Sequence, residues 1–306
     1  MMKNNVRIIA PIFVLIVFFS SIDAFASPTE IYLNGRRLLY EMPAGPAPTH
    51  GFPMIMFLHG ATGDAERWFS GAGYETQKAF VQMALARGYA VVAPDSRDDV
   101  APPTPPSILN KRWHDEGETL ADSLDLPFFE DILTWAGSNN VNPWQVFSMG
   151  VSSGGFMTSR NAQYFGNRLA GAVVISAGDS RQIEWPEDGD LFNPDVYDFT
   201  SPLTFEANHP PVLVITAEED WLIPDDVGLH YYSELTAAGV DATMYYYVAG
   251  QSPAGDHAWG PWTEGYHDDM LDWLDAHQAP EPSTVCIIVS AVLGFAAFRR
   301  IRITRR

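Results

Sequence analysis

The sequence is poor in cysteine, in basic residues and in long apolar runs. A single cysteine, Cys286, stands among 306 residues, so no intrachain disulfide can form and the fold must be held by burial. Basic side chains number 18 against 38 acidic ones, a net charge of −20. A surface of that sign repels nucleic acid and anionic membranes. It also disfavours a strongly anionic polymer as an unaided substrate. No internal repeat is visible, and 46% hydrophobic with 18% charged residues excludes a collagen-like array or a disordered tail protein. No apolar run reaches the roughly 20 residues that span a bilayer as a helix. The two longest lie at the ends.

Residues 1–26 begin with Lys3 and Arg7, continue through IIAPIFVLIVFF and close on Ala24-Phe25-Ala26. This is the pattern of a secretory signal cleaved before Ser27. Residues 280–306 hold Pro280-Glu281-Pro282, an apolar stretch from Val285 to Phe298, then Arg299, Arg300, Arg302, Arg305 and Arg306. Physically this is a short membrane stop with a positive-inside clamp. The order of its three parts resembles the PEP-CTERM sorting signal of exopolysaccharide-producing Gram-negative bacteria. That resemblance implies transient inner-membrane insertion, an exosortase-type processing enzyme as partner, and a mature protein at the cell surface or released. With the leader contributing +1 and the tail +4, residues 27–279 carry −25 of charge.

This core alternates short β-branched or aromatic runs with helical patterns. Such alternation specifies an α/β fold, a mostly parallel sheet flanked by helices on both faces. Strands are expected at 53–58, 89–93, 144–149, 170–176, 211–216 and 242–248, and helices at 75–87, 120–137, 154–165, 226–238 and 263–277. Residues 30–40 should form an antiparallel edge pair turning at Asn34-Gly35. The irregular stretches 95–119 and 178–210 are expected to shape a crevice at the carboxyl ends of the strands.

The sharpest motif is Gly150-Val151-Ser152-Ser153-Gly154, between the strand WQVFSM and the helix GFMTSRNAQYF. Glycines two residues either side of Ser152 allow a tight strand-to-helix turn that lifts its hydroxyl above the sheet. Ser153 lacks that spacing and contributes only its backbone amide. A serine needs a base and an orienting acid, which in this arrangement follow in the order acid, then histidine. The strand PVLVIT runs into Ala217-Glu218-Glu219-Asp220-Trp221-Leu222-Ile223-Pro224, where Asp220 is the acid and the two glutamates are solvated loop charges. After ATMYYYV comes Gly255-Asp256-His257-Ala258-Trp259-Gly260, which supplies His257 as the base.

An oxyanion hole requires backbone N–H groups aimed at the developing charge. Ser153 supplies one, and Ala61, in Leu58-His59-Gly60-Ala61-Thr62-Gly63 after the first core strand, supplies the other. His59 braces this loop rather than transferring protons. It joins Trp113, Trp221, Trp259 and Trp262 as candidate substrate contacts; the tryptophans either offer flat faces to sugars or aromatic acids or cap the core.

These residues together resemble the α/β-hydrolase group of polyhydroxybutyrate depolymerases, feruloyl esterases and acetyl xylan esterases. The resemblance spans about residues 50–275, through LHGATGDAE, RGYAVVAPD, VSSGGFM, the Asp220 loop and GDHAWG. It departs from the group in lacking its disulfides and in displacing the proline of the last motif to Pro261. The resemblance implies hydrolysis of a carboxylic ester by a secreted serine esterase, with neither metal nor cofactor. The substrate is then a polyester, or an acyl, feruloyl or acetyl group on a polysaccharide. Two other readings stay open: a serine peptidase of the same fold, which typically adds a propeller or helical lid for which the chain has no room, and a non-catalytic matrix-binding module.

Overall fold

The computed structural model describes residues 27–70, 74–97, 112–113, 123–183, 197–200, 202–248, 257 and 266–278. The expected leader and sorting segment lie outside these residues, as do Trp259 and Trp262. Among the described residues no helix is long and apolar enough to cross a membrane.

Among the described residues eight strands form one sheet: β1 (Thr29–Leu33), β2 (Arg36–Glu41), β3 (Phe52–Leu58), β4 (Ala90–Pro94), β5 (Val141–Val151), β6 (Gly171–Ile175), β7 (Val212–Ala217) and β8 (Ala242–Tyr247). Their spatial order is β1-β2-β4-β3-β5-β6-β7-β8. The pairs from β4 to β8 are all parallel, and β1 and β2 form the antiparallel edge. The β1–β2 turn is made by Asn34 (φ 48°) and Gly35 (φ 83°), the two positive φ values a tight hairpin of this twist requires.

Among the described residues five helices cover the sheet: α1 (Glu75–Ala86), α2 (Leu126–Gly137), α3 (Ser153–Phe165), α4 (Asp225–Ala237) and α5 (Tyr266–Ala276). Strand alternation sorts the core into two layers. Ile55, Phe57, Val91, Phe147, Val173 and Leu213 pack with Phe80 and Val81 of α1 and Met270 and Leu271 of α5. Their sequence neighbours Met54, Met56 and Val92 pack with Phe129 and Ile132 of α2 and Met157 of α3. Val174, Val212 and Val214 continue that second layer under Val227, Tyr231 and Leu235 of α4. Burying each such side chain stabilises the fold by about 1.5–3 kcal/mol.

Two element boundaries differ from expectation for identifiable reasons. Strand β5 begins at Val141 rather than 144, carrying Pro143 inside it. The sheet accommodates the proline by an irregularity: partners step from Phe52↔Val141 to Met54↔Val146, so the residue lacking an N–H stays out of the ladder. Helix α2 begins at Leu126 rather than 120, with Pro127 in its first turn, where a missing N–H costs nothing. Asp125 before it is fully buried and ion-paired to Arg36 of β2, rather than capping the helix.

Candidate active site

After β3 the chain moves outward to β4, then returns to β5 on the other side of β3. The loops leaving β3 and β5 therefore meet where the strand order reverses, the usual crevice of an open α/β sheet. Both expected parts of the oxyanion site and the serine lie on those two loops.

Ser152 follows β5 and caps α3 with φ 56° and ψ −125°, a backbone state that side chains rarely adopt. Its N–H donates to Ile175 O at 2.9 Å and its carbonyl accepts from Phe156 N–H at 3.0 Å, so strand and helix hold the turn from both sides. The flanking glycines are required by space. A Cβ on Gly150 would lie 2.1 Å from Gly154 O, and one on Gly154 would lie 2.3 Å from Leu58 O. Gly60, from the loop after β3, sits directly against the Ser152 side chain: a Cβ there would be 3.4 Å from Ser152 Cβ.

Asp220 lies three residues beyond β7 with its carboxylate fully buried. Its Oδ1 accepts the N–H of Leu222 at 3.0 Å and of Ile223 at 2.9 Å, a turn that leads through Pro224 into α4. Its two oxygens stand 2.8 and 3.0 Å from His257 Nδ1. Burial pushes the carboxyl upward, but the His257 contact and the two amides outweigh it and hold the group below its ordinary 3.8. An ionised acceptor at Nδ1 selects the tautomer that protonates that nitrogen. His257 Nε2 is then the basic nitrogen, and it is buried with no hydrogen-bond partner among the described residues. Glu218 and Glu219 are exposed, as expected of loop charges.

The loop after β3 is a turn closed by Gly63 N–H on Gly60 O at 3.0 Å, with Thr62 at φ 64°. His59 is 1% exposed. Its Nε2 accepts the Ser96 N–H at 3.0 Å and its Nδ1 lies 2.7 Å from Gly60 O. The ring therefore braces the loop, and it is no substrate contact. Because the Gly60–Ala61 peptide is trans and its carbonyl points into the turn, the Ala61 N–H points out of it.

Trp113 corrects the reading of it as a substrate contact. It is fully buried, its indole N–H donates to His59 O at 2.8 Å, and its backbone N–H donates to Ser153 Oγ at 3.1 Å. Capping the core, the alternative role of the tryptophans, is the one Trp113 fills. Ser153 is also fully buried, so its hydroxyl, expected to be idle, is an acceptor inside the core. Trp221 is 57% exposed, and its ring lies 6.1 Å edge-on from the His257 imidazole. In the described parts of the 178–210 stretch Tyr197 stacks near Phe156 of α3 and Phe199 packs on His230 of α4; residues 184–196 and 201 of that stretch lie outside the described residues.

No family model matches the chain. It is 26% identical over 254 residues to a poly(3-hydroxyoctanoate) depolymerase of Pseudomonas fluorescens, covering 79% of this chain and 80% of that one. It is 24% identical over 282 residues to dipeptidyl-peptidase 4 of Giardia intestinalis, covering 84% of this chain but 35% of that protein. Among solved structures it superposes on MGS-M1, an α/β-hydrolase enzyme from a Medee basin deep-sea metagenome library. The TM-score is 0.54 at 16% identity, over 82% of this chain and 97% of that one. The chain has the α/β-hydrolase fold. Its relatives of this fold include esterases and other hydrolases, and the residues described above occupy the carboxyl end of the sheet in that order: Ser152 after β5, Asp220 after β7 and His257 after β8.

Proposed function

We propose that the protein is a serine esterase that hydrolyses a carboxylic ester through an acyl-enzyme. The observation that carries this reading is the buried Asp220–His257 pair, which leaves Nε2 unpartnered among the described residues at the sheet end that also bears the strained Ser152. In the first half-reaction Ser152 Oγ attacks the ester carbonyl carbon while His257 Nε2 takes its proton. The carbonyl oxygen becomes an oxyanion held by the amides of Ala61 and Ser153. Collapse expels the alcohol, which leaves with the proton from Nε2. Water then repeats the sequence on the acyl-serine and releases the acid. Asp220 remains ionised throughout and fixes the imidazole.

The depolymerase likeness covers four-fifths of both chains and favours an ester of polymeric or acyl-substituted material as substrate. The likeness to a peptidase supports a second reading, amide hydrolysis at the same site. Turnover of p-nitrophenyl acetate against an N-acyl-peptide p-nitroanilide separates them. The account expects the ester to be cleaved with an initial burst of about one p-nitrophenol per enzyme; cleavage of the anilide alone would reverse the assignment. Asp220→Asn should lower ester turnover by about 10⁴, whereas Glu219→Gln should change it less than twofold.

The location of the enzyme is part of the same proposal. Residues 1–26 would direct export, and residues 280–306 would pause in the inner membrane until an exosortase-type enzyme cut near Pro280–Pro282. The mature C-terminus measured by mass spectrometry should fall close to that triplet. Recovery of Arg306 on surface protein would contradict it.

A further inference from the structure

The loop after β3 and the start of α3 carry the two amides of the proposed oxyanion hole, and they are in close contact. A Cβ on Gly154 would lie 2.6 Å from His59 O, so the His59 carbonyl rests on the first turn of α3. One residue from a different part of the chain bonds to both sides of that contact. Trp113 gives its indole N–H to His59 O at 2.8 Å and its backbone N–H to Ser153 Oγ at 3.1 Å. His59 in turn sets Gly60 O through its Nδ1, and Gly60 O belongs to the same peptide as the Ala61 N–H. The bonds therefore run from the Ser153 side chain, through Trp113 and His59, to the peptide that bears the other donor.

The bracket is itself held. The Trp113 ring lies 5.4 Å from Phe129 of α2 and 5.1 Å from the His59 ring. The Arg36 guanidinium, ion-paired to buried Asp125, sits 5.8 Å from it. A fully buried indole N–H left without its carbonyl is costly, so the bond to His59 fixes where that carbonyl lies. Oxyanion donors act only when held at the transition-state position before the reaction begins.

We propose that Trp113 is a positioning residue for the oxyanion hole, clamping the Ala61 and Ser153 amides at a fixed separation. This rests on the serine esterase reading for its kinetic consequence but not for its structural one. It assigns two hydrogen bonds to a task that ordinary core packing would not need. It also gives the Ser153 hydroxyl a role that its position beside the nucleophile does not explain.

The test uses Trp113→Phe, which keeps an aromatic ring and removes the indole donor, and Ser153→Ala, which removes the hydroxyl that accepts the Trp113 N–H. Rates are expressed per site titrated with a fluorophosphonate, so misfolded protein does not count. Trp113→Phe should lower kcat by about 10–100-fold, below the ~10²–10³ of losing an oxyanion donor outright, with KM changed less than twofold. The Ki of a trifluoromethyl ketone, which forms a tetrahedral oxyanion with the serine, should rise in parallel with the fall in kcat/KM. Ser153→Ala should show the same pattern at smaller size, and the double variant should be less than multiplicative because both act on one bracket. Hydrogen exchange gives an arm independent of activity: amides of residues 58–64 should exchange faster in both variants, while α5 is unchanged. Lower melting temperature with kcat, Ki and loop exchange all at wild-type values would make Trp113 mere packing and overturn the proposal. If the wild-type enzyme forms no acyl-serine, the esterase reading fails, and the exchange of residues 58–64 still decides the bracket.

Discussion

The two ends of the sheet solve the same problem, reversing the chain after every element, with different residues. At the end where the parallel strands begin, positive φ values fall on Gly51, Gly88, Asn140, Gly166 and Gly239, which adopt that region at little cost. At the end where β3, β5 and β6 finish, they fall on Thr62, Ser152 and Ser176, where each such conformation costs of the order of 1–3 kcal/mol. These three strands are neighbours in the sheet, so the strain is concentrated at one place. That end also keeps a buried nitrogen, His257 Nε2, without a partner among the described residues. At the opposite end the Tyr89 hydroxyl donates to Asp275 and accepts from Gln278, and Arg87 reaches Asp268, Asp272 and Asp275, while His209 Nε2 just before β7 and Trp273 Nε1 beside Gly171 are, among the described residues, buried without a hydrogen-bond partner. In backbone conformation the fold is relaxed where it only has to hold together and strained where we place the chemistry.

The comparison breaks most visibly at Ser152. Ser152→Gly should remove ester turnover by several orders of magnitude and yet raise the melting temperature, because glycine accepts φ 56° without strain. A lower melting temperature would mean that the turn is not a reservoir of strain. Glycine to alanine at each end sharpens the contrast. Gly154→Ala places a Cβ 2.3 Å from Leu58 O and should destabilise by about 4 kcal/mol or more. Gly88→Ala meets nothing within 4 Å at φ +90° and should cost only about 1 kcal/mol in denaturant unfolding.

A smaller effect separates the ends by pH. Burial depresses His209 below its ordinary 6.5, against a hydrogen bond to the Pro210 carbonyl that opposes the shift. The folded state therefore binds its proton less readily than the unfolded state. The stability His209 contributes is complete above about 6.5 and is lost as pH falls through its lower folded value. Asp220, also depressed, adds a second loss below its ordinary 3.8. Melting curves against pH should fall in two steps, and His209→Gln should remove only the first. Smallest of all is Arg87→Gln. Its acidic partners Asp268 and Asp272 are well exposed, so it should cost less than about 1 kcal/mol and leave kcat unchanged.

Much of this was legible in the sequence because it is local. Short β-branched or aromatic runs marked six of the eight strands, Asn34-Gly35 marked the edge hairpin, and the spacing of Gly150, Ser152 and Gly154 marked the turn after β5. The order of Ser152, Asp220 and His257 could be read because each sits just past a strand whose pattern was clear. What escaped depends on contacts between distant segments. Nothing around Trp113 in the sequence distinguishes an indole that faces substrate from one that bonds to a carbonyl 54 positions away. The Ser153 hydroxyl is engaged for the same reason, by a residue from another loop. The start of β5 was missed because Pro143 is a sound signal against a strand interior, and only the matching irregularity opposite Phe52 and Met54 makes room for it.

In the proposed mechanism Ser152, and no neighbouring hydroxyl, is acylated. Acid quenching during turnover of a slow p-nitrophenyl ester, followed by peptide mass spectrometry, reads that directly. The account predicts one acyl group per chain, on Ser152, absent from Ser152→Ala and retained in Ser153→Ala. An acyl group on Ser153, or undiminished turnover by Ser152→Ala, would contradict it.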